Sequence, residues 1–313
     1  MWQIISILFF FALSAPAQAW NAAGHRLTAF IAWQQLSPPA QAAIREILSR
    51  HPDYDQWVKR AKSENGVDVF AEASTWPDAI RSDPRFYDED KESPTPALPG
   101  LPDTARHKRW HYIDLNGSGK IMAGELDQQI ERLSQLLRPS KQAPAVGPQP
   151  RRLAARSTGK TAEISIALPW LAHLVADIHQ PLHVGRHGDE GGNKVDIENP
   201  FNQRLPFSNL HVYWDDLPGP PWLRGRRLEK IATHLTETYP PPTQGTVALW
   251  RDESHQLLTQ VYPDTNGRPL PTINEAFQQR ARDIANRRIV DAGYRLGRLL
   301  DGMFGERVSR ETH

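Results

Sequence analysis

Apolar side chains recur at three- and four-residue spacing along most of the chain, the pattern of α-helices that bury one face. Strand-like alternation is confined to Trp110–Ile113 and to Lys194–Phe207, where the sequence Asn-Pro-Phe-Asn could turn a β-hairpin. The chain is therefore predicted to be mainly helical, of the all-α class, with a small β-hairpin. The predicted helices are Arg26–Leu36, Gln41–Leu48, Glu125–Leu137, Thr161–His179, Arg226–Thr236 and Asn274–Met303.

Two segments interrupt the helical pattern. Ser82–Thr104 contains five prolines and many acidic residues, and Arg138–Lys160 is rich in Pro, Gly and Arg. Neither segment is flanked by a separate hydrophobic pattern that could form a second core. We therefore predict one domain over residues 20–313, with both segments as surface loops.

The start of the chain has the pattern of a secretory signal. Ile4–Ala15 is a long apolar run, and the small-residue triplet Ala17-Gln18-Ala19 follows it. This pattern predicts a signal peptide over residues 1–19, cleavage before Trp20 and a secreted or periplasmic protein. A membrane anchor is the alternative because no Lys or Arg precedes the run, but a spanning helix needs about 20 apolar residues. The mature protein is expected to have no membrane segment.

Composition narrows the class of protein further. The 37 Lys and Arg residues balance 36 Asp and Glu residues, giving a net charge of +1. Such a chain lacks the broad positive field with which DNA-binding regulators hold duplex phosphates. The absence of cysteine removes both disulfides and thiolate metal ligands. Stability must then come from the core, to which a bound metal could contribute.

The sequence LAHLVADIHQPLH, residues 171–183, concentrates groups that bind metals. His173 and Asp177 are spaced i, i+4, so both lie on one helical face and could reach the same cation. Pro181 is expected to end the helix, after which His183 could meet a different ion. His179 lies on another face and is interpreted as a group behind the ligands. The alternative for each histidine is a hydrogen-bonded core residue.

A second pair repeats this spacing. His211 and Asp215 in NLHVYWDD are again i, i+4 among apolar neighbours. Together with His183 they provide nitrogen and oxygen ligands for ions such as zinc, and ligation without cysteine favours a catalytic site over a structural one.

The predicted start of the mature chain adds another candidate metal ligand. Cleavage would free the α-amine of Trp20, and this amine and its own carbonyl could chelate a metal with His25 nearby. The alternative is an ordinary chain terminus with a buried tryptophan.

Six segments in this order carry a resemblance to a known family: WNAAGH, STWPDAIR, RWHYID, HLVADIHQPLHVG, DEGGN and NLHVYWD. Together they resemble the single-strand-specific zinc nucleases of the mung bean nuclease type. The match runs from Trp20 to about Asp216 and is weaker around Ala292-Gly293. The resemblance implies a phospholipase C/nuclease-like helical fold with three zinc ions at the bottom of a cleft.

The resemblance also implies a role for each ligand position. Trp20, His25 and Asp177 would hold one ion. The second ion would be held by Asp78, His111 and His173, with Asp177 bridging the two. The third ion would be held by His183, His211 and Asp215. Asp78 and His111 come from the resemblance alone.

Phosphodiester hydrolysis is the reaction that the resemblance implies, with a metal-bound hydroxide as nucleophile and 5′-phosphate products. Asp78, Asp177 and Arg81 are the predicted catalytic residues, with Arg81 contacting a phosphate. Tyr112 would stack on a base and Asp114 would accept from its edge. The other side of the base site would be formed by Gly191, Gly192 and Asn193.

The expected substrates are single-stranded DNA and RNA, with 3′-nucleotidase activity and no obligate protein partner. The resemblance has gaps, since eukaryotic members commonly carry disulfides and glycans, whereas this chain has no cysteine and one Asn-x-Ser match at Asn116. A bacterial exported enzyme fits better. Two alternatives are a zinc-dependent phospholipase C, where the last ligand is typically Glu rather than Asp215, and a zinc-binding protein without catalysis.

Overall fold

A computed structural model describes residues 20–138, 152–265 and 267–305. The predicted signal peptide, residues 1–19, lies outside the described residues, as do residues 139–151 of the second predicted loop. The described helices are α1 Ala22–Gln34, α2 Pro38–Ser49, α3 Tyr54–Ala61, α4 Gly66–Ala73, α5 Trp76–Ala79, α6 Leu126–Leu137, α7 Arg152–Asp177, α8 Leu210–Asp215, α9 Gly225–Thr238, α10 Val247–Gln256 and α11 Glu275–Phe304. The described strands are β1 Ile113–Leu115, β2 Ile121–Gly124, β3 Val184–Arg186, β4 Asp196–Glu198 and β5 Phe207–Asn209.

Helix α1 is almost fully enclosed, because all its residues from Ala23 to Trp33 are buried. Helix α11 packs closely across it. A Cβ atom at Gly293 would lie 2.5 Å from Cγ2 of Ile31, and one at Gly297 would lie 2.7 Å from the carbonyl oxygen of Ala32. The absence of side chains at these two positions therefore sets how closely α1 and α11 approach.

A small three-stranded sheet fixes two loops that carry histidines. Strand β1 lies between β2, with which it pairs antiparallel, and β3, with which it pairs parallel. Ile113 is in register with Val184. Because the two strands run in the same direction, His111, two residues before β1, and His183, directly before β3, meet at one edge of the sheet.

The mainly helical fold is confirmed. Strands β4 and β5 form the predicted hairpin, with Ile197 opposite Ser208, but β5 extends two residues beyond the predicted end at Phe207. The strand predicted over Trp110–Ile113 is wrong for most of its length. Lys108–His111 forms a 3₁₀ turn, and the strand begins at Ile113. The cause is His107, whose φ of 48° turns the backbone so that the Trp110 amide donates to its carbonyl.

Helix α7 differs from its prediction at both ends. It includes residues 152–160, which were predicted as loop, and it ends at Asp177 rather than at His179. Pro181 begins a 3₁₀ turn that ends at His183. The residue before a proline avoids helical geometry, and Gln180 is accordingly extended, with a ψ of 116°.

Candidate metal centre

The nine predicted metal ligands come from seven short segments that the fold brings together around the end of α7. These segments, with the ligands that they carry, are the stretch before α1 (Trp20), α1 (His25), α5 (Asp78), the turn Lys108–His111 (His111), α7 (His173 and Asp177), the turn Pro181–His183 (His183) and α8 (His211 and Asp215). The side-chain ligands form three groups in which the candidate ligand atoms lie within 4.8 Å of one another.

The first group contains His25, His173 and Asp177. Nε2 of His25 lies 3.5 Å from Oδ1 of Asp177, and Nε2 of His173 lies 3.3 Å from Oδ2. The rings of the two histidines stack with their centroids 3.7 Å apart. The i, i+4 pair on α7 therefore faces α1, which contributes the third side chain.

The second group contains Asp78, His111 and His173. Nδ1 of His111 lies 3.1 Å from Nε2 of His173 and 3.1 Å from Oδ2 of Asp177. Oδ1 of Asp78 lies 3.8 Å from Nε2 of His173. Asp177 thus presents one oxygen to His25 and the other to His111 and His173, which is the placement a bridging carboxylate needs.

The third group contains His183, His211 and Asp215, all buried. Nε2 of His211 lies 3.1 Å from Nε2 of His183 and 3.5 Å from Oδ2 of Asp215. The side chain of Asn209 accepts from the Val212 amide and begins α8, which carries both the histidine and the aspartate.

Backbone carbonyls orient three of the imidazoles. A carbonyl oxygen can only accept, so the Nδ1 atom facing it carries the proton and Nε2 presents a lone pair. The Nδ1 donors and their carbonyl acceptors are His173 with Ser74 (2.8 Å), His183 with His111 (2.6 Å) and His211 with Gly191 (2.7 Å).

This arrangement fits divalent cations. The Nε2 lone pairs of His183 and His211 face each other at 3.1 Å, which is unfavourable unless a cation lies between them. Several buried atoms of the other two groups have no hydrogen-bond partner among the described residues, and buried polar groups normally have one. They are Nδ1 and Nε2 of His25, Oδ1 of Asp78, Nε2 of His111 and Oδ1 of Asp177.

Burial sets the protonation of these groups in the absence of metal. Burial lowers the pKa values of His25, His111 and His183 well below the usual range, so these imidazoles are neutral and ready to ligate. Burial raises the pKa of Asp177 to about 6. Burial alone would lower the pKa of His173, but the carboxylates of Asp177 and Asp78 outweigh it and raise that pKa.

Trp20 is fully buried beside the first group. The backbone amide of Asn21 donates to the carbonyl of Asp215 over 3.1 Å. The side chain of Asn21 accepts from the Ala23 amide and so caps the start of α1. Burial lowers the pKa of His25, and the nearby Trp20 backbone raises it in part. Neither nitrogen of the His25 ring forms a hydrogen bond of normal geometry with the described residues. The segment Trp20–Asn21 is thus held against both the first and third groups.

A cleft of about 570 Å³ opens over the second and third groups. Four of the predicted substrate and catalytic residues line it together with three candidate ligands: Arg81, Tyr112, Asp114, Asn193, His111, His183 and His211. Nη1 of Arg81 lies 3.7 Å from Oδ1 of Asp78. A cation and an aromatic ring therefore flank the histidines on the open side.

The predicted base-site glycines are placed differently from the other cleft residues. Gly191 and Gly192 are not among the residues that line the cleft. Both have positive φ values, 60° and 83°, and a Cβ at Gly191 would lie 2.4 Å from the carbonyl oxygen of Leu182. The Gly191 carbonyl accepts from Nδ1 of His211, so this turn positions a candidate ligand histidine.

Sequence reasoning missed Gln180. This buried side chain donates from Nε2 to Oδ1 of Asp215 over 2.9 Å and accepts from the Leu182 amide over 2.6 Å. It therefore ties the aspartate of the third group to the turn that carries His183. Its position between Asp177 and His183 was the one available signal, since its partner lies 35 residues away.

His179 lies outside the three groups. Its Nδ1 donates to the carbonyl of Val175, and its Nε2 accepts from Arg295 over 3.0 Å. This histidine therefore ties α7 to α11.

In the part of the chain that the structure describes, no helix has the length and apolar character needed to cross a membrane.

Comparison with known proteins agrees with this geometry. The family model described as S1/P1 Nuclease matches residues 20–305. Endonuclease 3 of Arabidopsis thaliana is 28% identical over 69% of this chain, and Endonuclease 4 of the same plant is 29% identical over 45%. The matched parts span 60% and 51% of these two relatives, respectively. The resemblance inferred from the six segments is confirmed, and the chain belongs to the S1/P1 nuclease family.

Proposed function

We propose that this protein is an exported endonuclease that hydrolyses phosphodiester bonds of single-stranded DNA and RNA. The products would carry 5′-phosphates, and 3′-nucleotidase activity would accompany the cleavage. The observation that carries this proposal is the set of three adjoining His/Asp groups, two of which open into a cleft that is also lined by Tyr112 and Arg81. The curated relatives named endonucleases support the same reaction class.

Three zinc ions are the proposed cofactors. His25, Asp177 and the chain start at Trp20 would hold one ion. The second would be held by Asp78, His111 and His173, and the third by His183, His211 and Asp215. When bound, such ions would lower the pKa of water and neutralise phosphate charge.

The chain's own residues would bind and orient the strand. Tyr112 would stack on one base, Asp114 and Asn193 would contact its edge, and Arg81 would contact the adjacent phosphate. Stacking on an aromatic ring contributes about 1–3 kcal/mol per base and tolerates any sequence. A base must leave its duplex to stack in this way, so unpaired regions would be cut faster than duplex.

Export follows from the proposed signal peptide. Cleavage before Trp20 would free the α-amine, whose lone pair an uncleaved peptide nitrogen lacks. Processing would then complete the first group as well as release the protein to the periplasm or the medium.

Metal analysis combined with cleavage assays tests the proposal. The processed protein is expected to contain about three zinc ions and to cut single-stranded DNA faster than the matched duplex. Product ends are read by phosphatase sensitivity and mass. Equal cleavage rates for single-stranded DNA and the matched duplex would contradict the proposed single-strand specificity.

Two other activities are outcomes of the same assays. Hydrolysis of phosphatidylcholine without cleavage of nucleic acid would replace the nuclease by a phospholipase C. Full zinc content with neither activity would indicate a zinc-binding protein without catalysis.

A further inference from the structure

Three residues of the proposed base site, Gly191, Gly192 and Asn193, lie on one segment that follows β3. We call residues 187–194 the base-site loop. Glu190, Gly191 and Gly192 all have positive φ values, 54°, 60° and 83°. This left-handed geometry is costly for a residue with a Cβ atom such as Glu190, and it persists where surrounding contacts hold it. The base-site loop therefore depends on support from other parts of the chain.

Two side chains from outside the base-site loop form hydrogen bonds with it. Nδ1 of His211 donates to the Gly191 carbonyl over 2.7 Å. The hydroxyl of Tyr262 donates to Oδ2 of Asp189 over 2.8 Å. The other carboxylate oxygen of Asp189 accepts from the Gly192 amide over 3.0 Å. Asp189 therefore connects Tyr262 to the backbone of the left-handed segment.

The ring of Tyr262 supports the point where the base-site loop begins. The guanidinium of Arg186, the last residue of β3, lies 4.2 Å from the centroid of this ring, as in a cation–π contact. The carbonyl of Arg186 accepts from the Gly191 amide over 3.2 Å. Tyr262 thus contacts the residue before the loop with its ring and the loop itself with its hydroxyl.

Tyr262 is anchored to the helix that carries two candidate ligands. The carbonyl of its neighbour Val261 accepts from the indole nitrogen of Trp214 over 3.0 Å, and both side chains are fully buried. Trp214 lies in α8 between His211 and Asp215. The contacts of Tyr262 therefore fix the position of the base-site loop relative to the third His/Asp group.

The Tyr262 hydroxyl remains a donor over the ordinary pH range. Burial and the carboxylate of Asp189 raise the pKa of Tyr262 above its usual value, so the phenol keeps its proton. Tyr262 and Asp189 are not among the residues that line the cleft, whereas His187 and Asn193 of the same loop are. Tyr262 can therefore influence a bound nucleotide through the loop and not by touching it.

We propose that Tyr262 is a positioning residue for the base site. Its bond to Asp189 holds the base-site loop where Asn193 can contact a base whose phosphate lies at the His/Asp groups. This inference rests on the proposed nuclease function. The Tyr262 hydroxyl would raise the affinity for the base and leave both the metal content and the rate of hydrolysis unchanged.

Tyr262→Phe tests this role, because it removes one hydroxyl and keeps the ring against Arg186. The two substrates are adenosine 3′-monophosphate and ribose 3-phosphate, which has the same phosphate ester but no base. For the zinc-loaded variant, we expect the KM of the nucleotide to rise about tenfold at unchanged kcat, since a hydrogen bond to a charged group is lost. The kcat/KM of the base-free substrate should stay at the wild-type value.

Tyr239→Phe is the matched control. It also removes a tyrosine hydroxyl that donates to an aspartate, since Tyr239 bonds to Asp283 over 2.6 Å, but this pair lies between the end of α9 and α11. The control should change neither substrate. Equal losses for both substrates in Tyr262→Phe, a lowered kcat at unchanged KM, or no change at all would overturn the positioning role.

A double substitution tests whether Tyr262 acts through Asp189. Asp189→Ala should raise the KM of the nucleotide at least as much as Tyr262→Phe does. Adding Tyr262→Phe to Asp189→Ala should then have no further effect, because the shared hydrogen bond is already gone. Two independent increases that multiply in the double variant would show that the hydroxyl does not act through this carboxylate.

Binding of adenosine 5′-monophosphate separates this inference from the proposed function. Calorimetry on the zinc-loaded proteins should show about tenfold weaker binding to Tyr262→Phe than to wild type, at equal zinc content. If the wild-type protein cleaves no nucleic acid, the proposed function fails, and weaker nucleotide binding by the variant would still support the positioning role. Cleavage of nucleic acid together with equal nucleotide affinities would overturn the positioning role alone.

Discussion

Asp177 connects two of the three His/Asp groups, because its two oxygens face histidines from different elements. The spacing in the sequence predicted its pairing with His173, and the structure places His25 and His111 against the same carboxylate. No local pattern could predict the last two contacts, since His111 lies 66 residues from Asp177.

Asp177→Asn should lose metal and activity together. The amide keeps the shape of the side chain but removes the charge that two ions would share, so we expect fewer than two ions per chain and a cleavage rate lowered by about 100-fold or more. Zinc analysis and single-stranded DNA cleavage measure both effects. The control Asp252→Asn changes an exposed carboxylate and should leave both unchanged. A wild-type rate with full zinc content would refute the bridging role.

Gln180→Leu should weaken the third group alone. The leucine cannot donate to Asp215 or accept from Leu182, so the carboxylate and the His183 turn lose their common support. Loss of such an outer partner costs about 10- to 100-fold in metal affinity. Zinc titration should show one weakened site of three. Gln256→Leu, on the exposed side of α10, is the control, and unchanged titration of Gln180→Leu would contradict the positioning role.

At the level of elements, long amphipathic segments were predicted and short ones were not. The pattern identified α2, α6, α9 and α11 because each buries one stripe over several turns. Helices α5 and α8 have 4 and 6 residues, too few to show a period, yet they carry three of the candidate ligands. Tertiary packing rather than intrinsic propensity holds such short helices in place.

Gly293→Ala should destabilise the protein through the contact between α1 and α11. The new Cβ would lie 2.5 Å from Cγ2 of Ile31, so one helix must shift, which costs about 1–3 kcal/mol of unfolding free energy. Urea unfolding measures the loss. The control is Gly302→Ala in the same helix, where a Cβ atom would meet nothing within 4 Å. Because alanine favours the helix more than glycine does, this variant should raise the unfolding free energy by about 0.5–1 kcal/mol. Equal stability of the two variants would contradict the close packing.

For the molecule as a whole, metal and protons compete for one buried cluster. The pKa of Asp177 is raised to about 6 and that of His173 is raised above its usual value, so both hold protons at pH 5 that a metal must displace. For each pH unit below the pKa of such a group, displacing its proton costs about 1.4 kcal/mol of metal-binding free energy.

The stabilisation by zinc should therefore grow as the pH rises from 5 to 7.5. We expect the difference in Tm between zinc-loaded and chelator-treated protein to be small at pH 5 and larger at pH 7.5, because the proton on Asp177 leaves between these values. Thermal unfolding at both pH values measures it, and Asp177→Asn should flatten the dependence. A difference that shrinks with rising pH would show that the buried carboxylate and imidazole do not hold the metal.

The chain start offers a test that changes no side chain. Protein processed to begin at Trp20 should bind one zinc ion more than protein that keeps a single extra residue before it, because a peptide nitrogen has no lone pair to donate. Zinc analysis of both forms measures this difference. A tag at the C-terminus serves as the control for the effect of added residues, and identical zinc content in all forms would remove Trp20 from the ligand set.

The sequence by itself determined the helical class, the hairpin and the His/Asp pairs on α7 and α8, because periodicity and i, i+4 spacing are local properties of a chain. The six ordered segments also determined the family. Only the tertiary structure decided that His25 and His111 both lie against Asp177 and that Gln180 supports Asp215. These features depend on side chains that meet across tens of residues, and packing rather than local pattern brings them together.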